Sequence, residues 1–286
     1  MRYYFGLYHW RRRFRRLLGG VAGIVTGVLI WRHTRSRLLH LGALGLVVAG
    51  ANRARRPLQS LFDPPPWVVR TTKYADLAAS LPVPEEGRVL DIGCGTGRSL
   101  VGLADDLPPE AEVVGLDVFD DRVILGNGPR LAARNARVAG LDPAVVEGDA
   151  ARLPVADDSM DVVTACRVLH DLPKADAETA LAECHRVLRP DGRLGVLELP
   201  IPHDADADPD DYWRALLSAA GFTIESAGTA GVDTVGYNFV SNFAPRAERN
   251  CSRDYSRQYD DRYFRYTAIP DREREPPSET SVQSAD

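Results

Sequence analysis

An apolar run leads straight into glycines at 93, 95 and 97 in the segment Val89-Leu-Asp-Ile-Gly-Cys-Gly-Thr-Gly-Arg-Ser-Leu100. Glycines at the carboxyl end of a strand let a ligand press against the backbone, and a doubly wound sheet keeps its binding crevice there. The flanking chain keeps the alternation such a sheet requires. Apolar runs at Arg88–Ile92, Glu112–Leu116, Ala144–Glu147, Asp161–Ala165 and Arg193–Glu198 predict strands. Amphipathic stretches between them, notably Asp176–Leu188, predict helices. Phe222–Ser226 and Tyr237–Phe243, without a clear helix between them, predict an antiparallel edge hairpin. The expected fold class is therefore α/β, with a doubly wound, mostly parallel, seven-stranded sheet over residues 67–245.

Charge is divided unevenly along the chain. Residues 1–56 hold twelve Arg and no Asp or Glu, a local charge of +12, which leaves 23 basic and 40 acidic residues, or −17, on the rest. An acidic body argues against nucleic-acid binding through the main domain. Arg outnumbers Lys by 33 to two, and the acids lean to Asp, as in His203–Asp211. A halophilic, salt-adapted proteome accounts for that bias, and high genomic GC content accounts for the Arg share equally well. Four cysteines, Cys94, Cys166, Cys184 and Cys251, lack any CxxC spacing, so neither a disulfide framework nor a metal site is expected.

The basic arm contains two apolar runs, Leu17–Trp31 and Leu38–Ala51. At 1.5 Å per residue each spans roughly 20–23 Å, short of a ~30 Å hydrocarbon layer, though flanking Arg and Trp can extend it. The polar segment Arg32–Arg37 suits a turn between antiparallel helices, and Gly19, Gly23 and Gly27 share a face with small-residue spacing. These features predict an N-terminal membrane helical hairpin with the bilayer as partner. Nine Arg lie on the side of the main domain and three in the turn, which predicts a cytoplasmic catalytic domain. A re-entrant hairpin and an export signal cleaved near Ala49-Gly-Ala51 are the alternatives. Pro57–Pro66 reads as a linker, and residues 246–286 as a polar, largely disordered tail.

The glycine spacing is G-x-G-x-G, whereas the dinucleotide fingerprint is G-x-G-x-x-G, so a nicotinamide dehydrogenase is disfavoured. Val113-Val-Gly-Leu-Asp117 ends the second strand with an acid about 20 residues beyond the loop, where a carboxylate can accept from ribose hydroxyls. Gly148-Asp-Ala150 follows the third strand, and Asp161-Val-Val-Thr-Ala-Cys-Arg-Val-Leu-His-Asp-Leu172 covers the fourth strand and its loop.

Together these segments resemble the class I S-adenosylmethionine-dependent methyltransferases, of the type 11-like kind, over about residues 70–243. The resemblance implies a Rossmann-like methyltransferase fold and S-adenosyl-L-methionine as cofactor. It implies that Gly93, Gly95 and Gly97 hold the methionine part, that Asp91 helps orient its amino group, and that Asp149 and the Ala150 N–H meet the adenine. Arg167 opens the loop facing the transferring methyl and is expected as a further cofactor contact, with a solvated surface arginine as the alternative. The Pro190-Asp-Gly192 turn stands where Pro-Gly-Gly is commoner in the family, and Gly192 is expected to supply a positive φ. Leu125-Gly-Asn-Gly-Pro-Arg-Leu-Ala-Ala-Arg-Asn-Ala-Arg-Val-Ala-Gly140 is similar to a subgroup carrying membrane helices ahead of the domain.

His170 lies in the methyl-facing loop with a suitable unperturbed pKa and is the candidate catalytic base, with packing or cofactor contact as its alternative. Asp171 and Tyr74 are lesser candidates, and Tyr74 can instead cover the cofactor. Only a short acidic segment, Leu199–Asp211, follows the fifth strand where the family inserts a substrate lid. With a membrane tether, this favours in-line methyl transfer to a small, lipophilic acceptor such as a quinone or isoprenoid-type lipid. A non-catalytic S-adenosylmethionine-binding module and a membrane scaffold are the rival readings.

Overall fold

The structure, a computed structural model, describes residues 2–60, 66–230 and 263–270. It opens with a short strand β1 (Leu7–Tyr8) and two 24-residue helices, α1 (Trp10–His33) and α2 (Arg37–Ser60). There follow α3 (Thr72–Ala78), β2 (Arg88–Ile92), α4 (Arg98–Leu103), β3 (Glu112–Asp117), β4 (Ile124–Leu125) and α5 (Pro129–Val138). The remainder comprises β5 (Ala144–Glu147), β6 (Met160–Cys166), α6 (Lys174–Val187), β7 (Leu188–Glu198), α7 (Pro209–Ala219), β8 (Phe222–Ala230) and β9 (Tyr263–Pro270).

Seven strands form one sheet in the order β5-β3-β2-β6-β7-β9-β8. The β5–β3, β3–β2, β2–β6 and β6–β7 pairs are parallel, and β9 runs antiparallel between β7 and β8. Each central strand is apolar on both faces, as a sheet covered by helices on both sides requires. Leu90 and Ile92 of β2 pack with Leu181, Trp213 and Leu217 of α6 and α7. Val89 faces the other way, with Leu77, Leu100 and Ala132 of α3, α4 and α5.

The seventh strand corrects the sequence reading. The expected partner of β8, Tyr237–Phe243, lies outside the described residues, and residues 263–270 fill the gap between β7 and β8 instead. The domain thus reaches past 245, into what reads as a polar tail. Alternation explains the strand: Tyr266 and Ala268 are buried in the core, whereas Arg265 reaches the Asp76 carbonyl and Thr267 bonds Ser80 Oγ at 2.9 Å. Gly192 is a second correction. It is absent from the positive-φ positions, and residues 189–192 bulge between the pairs Met160–Leu188 and Val162–Arg193. Its small size matters because an added Cβ would lie 3.1 Å from Asp161 O.

Helices α1 and α2 pack antiparallel. An added Cβ on Gly20 would lie 2.7 Å from Gly50 O, and one on Gly27 would lie 2.6 Å from Ala43 O. Gly19, placed on the contact face by its spacing, meets only the Arg53 side chain, so Gly20 is the contact residue. The helices also extend beyond the apolar runs, to about 36 Å at 1.5 Å per residue. Helix α2 continues through Pro57, where a linker was expected; near the end of a helix a proline removes one backbone bond with few following it. Among the described residues, α1 alone is long and apolar enough to cross a membrane by length and composition.

Tyr266 is fully buried and its hydroxyl donates to Asp210 Oδ1 at 2.7 Å. Tyr266→Ala is expected to destabilise by about 3–5 kcal/mol, as large aromatic truncations do. Thermal denaturation should show its midpoint about ten degrees or more below wild type, with Tyr266→Phe showing a much smaller drop.

Candidate active site

The glycine loop rests on a buried carboxylate. Asp91 Oδ2 accepts from Ser99 Oγ at 2.5 Å and Oδ1 from Thr164 Oγ1 at 2.7 Å, which ties β2 to the first turn of α4 and to β6. Burial pushes the Asp91 carboxyl up to about 7, against the opposing pull of those hydroxyls, and the nearby Asp117 charge adds to the rise. Asp91 is wholly inaccessible and engages these hydroxyls through both oxygens. Asp91 thus braces the loop from behind.

The three glycines divide the work above it. Gly93 and Gly97 have φ of +68° and +78°, and an added Cβ on them would collide with Val168 and with Ala132 O respectively. At Gly95 an added Cβ would fit without a clash, in ordinary contact with Asp117 Oδ2 at 3.9 Å and with Asn127 Oδ1 and Gly93 O at 4.0 Å. This hollow is a cradle that any side chain would fill.

Asp117, at the end of β3, lines that hollow. Its Oδ2 accepts the Gly95 N–H at 2.9 Å, and its Oδ1 accepts the Phe119 N–H at 2.6 Å and Asn127 Nδ2 at 3.4 Å. Burial raises its pKa, with the backbone hydrogen bonds opposing the rise. Asp149 is exposed at the end of β5, where its Oδ1 accepts the Ala151 N–H at 2.9 Å, and Ala150 is buried beside it.

The loop after β6 is organised by a residue the sequence reading did not single out. Glu198 Oε1, at the end of β7, accepts the Val168 and Leu169 N–H groups, both at 2.8 Å. Its Oε2 lies 2.6 Å from His170 Nδ1. A carboxylate can only accept, so Nδ1 carries the hydrogen and Nε2 is left to exchange a proton. Burial, the largest influence on His170, lowers its pKa, but the charge and hydrogen bond of Glu198 with the charge of Asp171 outweigh it and the net shift is upward. Arg167 opens this loop with φ of +61°, its N–H bonded to Leu197 O at 2.7 Å. Tyr74 is buried on α3 with its ring against Gly102.

The N-terminal segment also reaches the site, a docking with no periodicity to announce it. Asn135, buried on α5, donates through Nδ2 to Tyr4 O at 2.6 Å and Thr96 O at 2.9 Å, and its Oδ1 accepts the Tyr4 N–H at 3.3 Å. Phe5 is fully buried, donates its N–H to Pro66 O at 2.6 Å, accepts from Thr96 Oγ1 at 3.3 Å, and lies under the Arg98 guanidinium. Beyond it, β1 pairs with β4, and Trp10 Nε1 donates to Asp121 O at 2.8 Å.

Residues 89–192 match the family profile described as a methyltransferase domain. The chain is 38% identical over 115 residues to a demethylmenaquinone methyltransferase of Lactobacillus johnsonii, covering 40% of this chain and 44% of that protein. It is 40% identical over 115 residues to the demethylmenaquinone methyltransferase of Thermus thermophilus, covering 40% and 48%. It is 34% identical over 178 residues to the 27-O-demethylrifamycin SV methyltransferase of Amycolatopsis mediterranei, covering 55% and 62%. The chain thus spans between about two fifths and three fifths of these relatives.

Gly95→Ala is expected to leave the fold intact, since the added methyl meets its neighbours only at ordinary contact distance, at the expense of about 1 kcal/mol for a positive φ. Isothermal titration with S-adenosylhomocysteine should show affinity weakened tenfold or more. Gly97→Ala should instead lower the melting midpoint, because its methyl would lie 2.8 Å from Ala132 O.

Proposed function

We propose that this chain, whose core is a class I, S-adenosylmethionine-dependent methyltransferase domain, is a membrane-anchored enzyme that methylates a small lipophilic acceptor. The fit of the site to the cofactor rests on the open cradle at Gly95 beside the Asp117 carboxylate. In this reading the Gly93–Gly97 backbone holds the methionine part, Asp117 binds ribose, Asp149 and the Ala150 N–H bind adenine, and Arg167 borders the reacting end. Bound S-adenosylmethionine supplies a methyl group already activated on a sulfonium. The chain's own task is to align the acceptor in line with that methyl and to exclude water, and orientation supplies much of the acceleration.

His170 is the base in this reading. Glu198 fixes its Nδ1–H, so Nε2 takes the proton of an acceptor hydroxyl as the methyl arrives. Because its pKa is raised, His170 is neutral only above a pH higher than its ordinary 6.5. By the same linkage, the His170–Glu198 pair stabilises the fold fully below 6.5 and loses that contribution as pH rises through the shifted value.

The observation that carries the lipophilic acceptor is the route of residues 2–10. They pass over the glycine loop and deliver the start of α1 to the segment just beyond β3, on the crevice side of the sheet. From there α1 and α2 present large apolar side chains outward, among them Leu18, Val25, Leu29, Leu38, Leu41 and Val48. Arg11, Arg15, Arg53, Arg55 and Arg56 are exposed at the end nearest the domain, where anionic headgroups and a cytoplasmic-side orientation suit them. Two of the relatives are named for a demethylmenaquinone and for a 27-O-demethylrifamycin, and the first of these is a quinone, the lipophilic class proposed here.

Two measurements test the proposal. Full-length protein in lipid nanodiscs, given methyl-labelled S-adenosylmethionine, should label demethylated quinone-type lipids well above water-soluble phenols; equal labelling of both would overturn the lipophilic acceptor. The acid limb of kcat/KM should lie above 6.5 and move down in Glu198→Gln; a limb unchanged by that substitution would remove His170 as the base.

A further inference from the structure

We infer that Asn127 is a second ribose-reading residue, dividing the diol of the cofactor with Asp117, an inference that rests on the S-adenosylmethionine reading above. Asn127 sits in the turn between β4 and α5, its backbone N–H bonded to Ile124 O at 3.0 Å. Its Nδ2 points at Asp117 Oδ1 at 3.4 Å, which fixes the amide: turning it over would set its oxygen against the carboxylate. The other end, Oδ1, is buried and has no hydrogen-bond partner among the described residues. A buried acceptor left so is unfavourable, and its retention calls for a donor that arrives from elsewhere.

The place from which that donor must come is defined. Asn127 Oδ1 and Asp117 Oδ2 lie at nearly equal distances, 4.0 and 3.9 Å, from the open position at Gly95. Both Asp117 oxygens already accept backbone N–H groups, which reduces their capacity to take two further hydroxyls. Two acceptors from separate residues flanking one hollow match two adjacent hydroxyls, each donating to one of them. The preceding Gly126, with φ of +83°, lets the turn bring its side chain to this spot. A ribose lacking either hydroxyl would leave one buried acceptor without a donor, and a ribose phosphate would bring negative charge against Asp117.

Titration of the full chain in detergent micelles with S-adenosylhomocysteine and its 2′-deoxy and 3′-deoxy analogues tests the division. Wild type should lose about tenfold or more in affinity for each analogue. Asn127→Ala should bind the parent about tenfold more weakly and discriminate against only one of the two analogues, with Asp117→Asn affecting discrimination against the other. Asn127→Ser, which restores a small acceptor, should recover part of the lost discrimination, and melting curves of each variant report its folding. Unaltered discrimination in a folded Asn127→Ala would overturn the assignment while leaving the cofactor reading intact. Absence of binding of S-adenosylhomocysteine by folded wild-type protein would overturn both.

Discussion

The carboxamide of Asn135 joins three segments that no local pattern brings together. With one side chain it holds the backbone of Tyr4 on two sides and the carbonyl of Thr96 in the glycine loop, and α5 supplies the rigid base from which it does so. A buried amide with its donors and acceptor all engaged is geometrically demanding, which makes it a specific clamp rather than a general adhesive. Everything distinctive about the molecule passes through this point: the loop is clamped from behind by Asp91 and from in front by the N-terminal segment, and the two long helices begin where that segment ends. The helices and the crevice are therefore parts of one construction, with Phe5 as the packed joint between them.

Sequence periodicity revealed the central sheet because its strands are short, uniformly apolar and bounded by turns. Arg88–Ile92 and Ala144–Glu147 appear at their expected limits, and α6 and β8 differ by a few residues. The seventh strand escaped because Tyr263–Pro270 alternates polar with apolar side chains and stands far from its partners, a pattern that resembles a polar tail until its neighbours are known. Asp117 was legible from its offset to the glycines. Glu198 was not, since a glutamate ending a strand has no spacing rule, and its importance arises from the loop folded over it. Asn127 and Asn135 belong to the same class: amides are chemically bland in sequence and acquire meaning from what lies opposite them.

Asp91 and Asp117 show how two aspartates of one crevice part company. Asp91 is enclosed by hydroxyls and apolar strands, where burial carries its pKa to about 7 and its two hydrogen bonds brace the loop. Asp117 retains access to the crevice while its charge is moderated by backbone donors. The same residue type is therefore sealed behind the loop in one place and left partly open beside it in the other.

The clamp at Asn135 and the insertion of β9 between β7 and β8 also set the order in which the domain can be completed during synthesis. Tyr4 finds its partner 131 residues later, and Thr267 meets Ser80 across 187 residues, so both closures are long-range steps of the kind that slow folding. Helices α1 and α2 leave the ribosome well before either partner exists, and local contacts between them can form at once. Until α5 emerges, Tyr4 and Phe5 have nowhere to dock, and until residue 270 emerges, β7 and β8 keep open edges. Completion of the sheet therefore waits on the synthesis of residue 270, and the edges of β7 and β8 left open until then are the places where pairing with another chain would compete with β9.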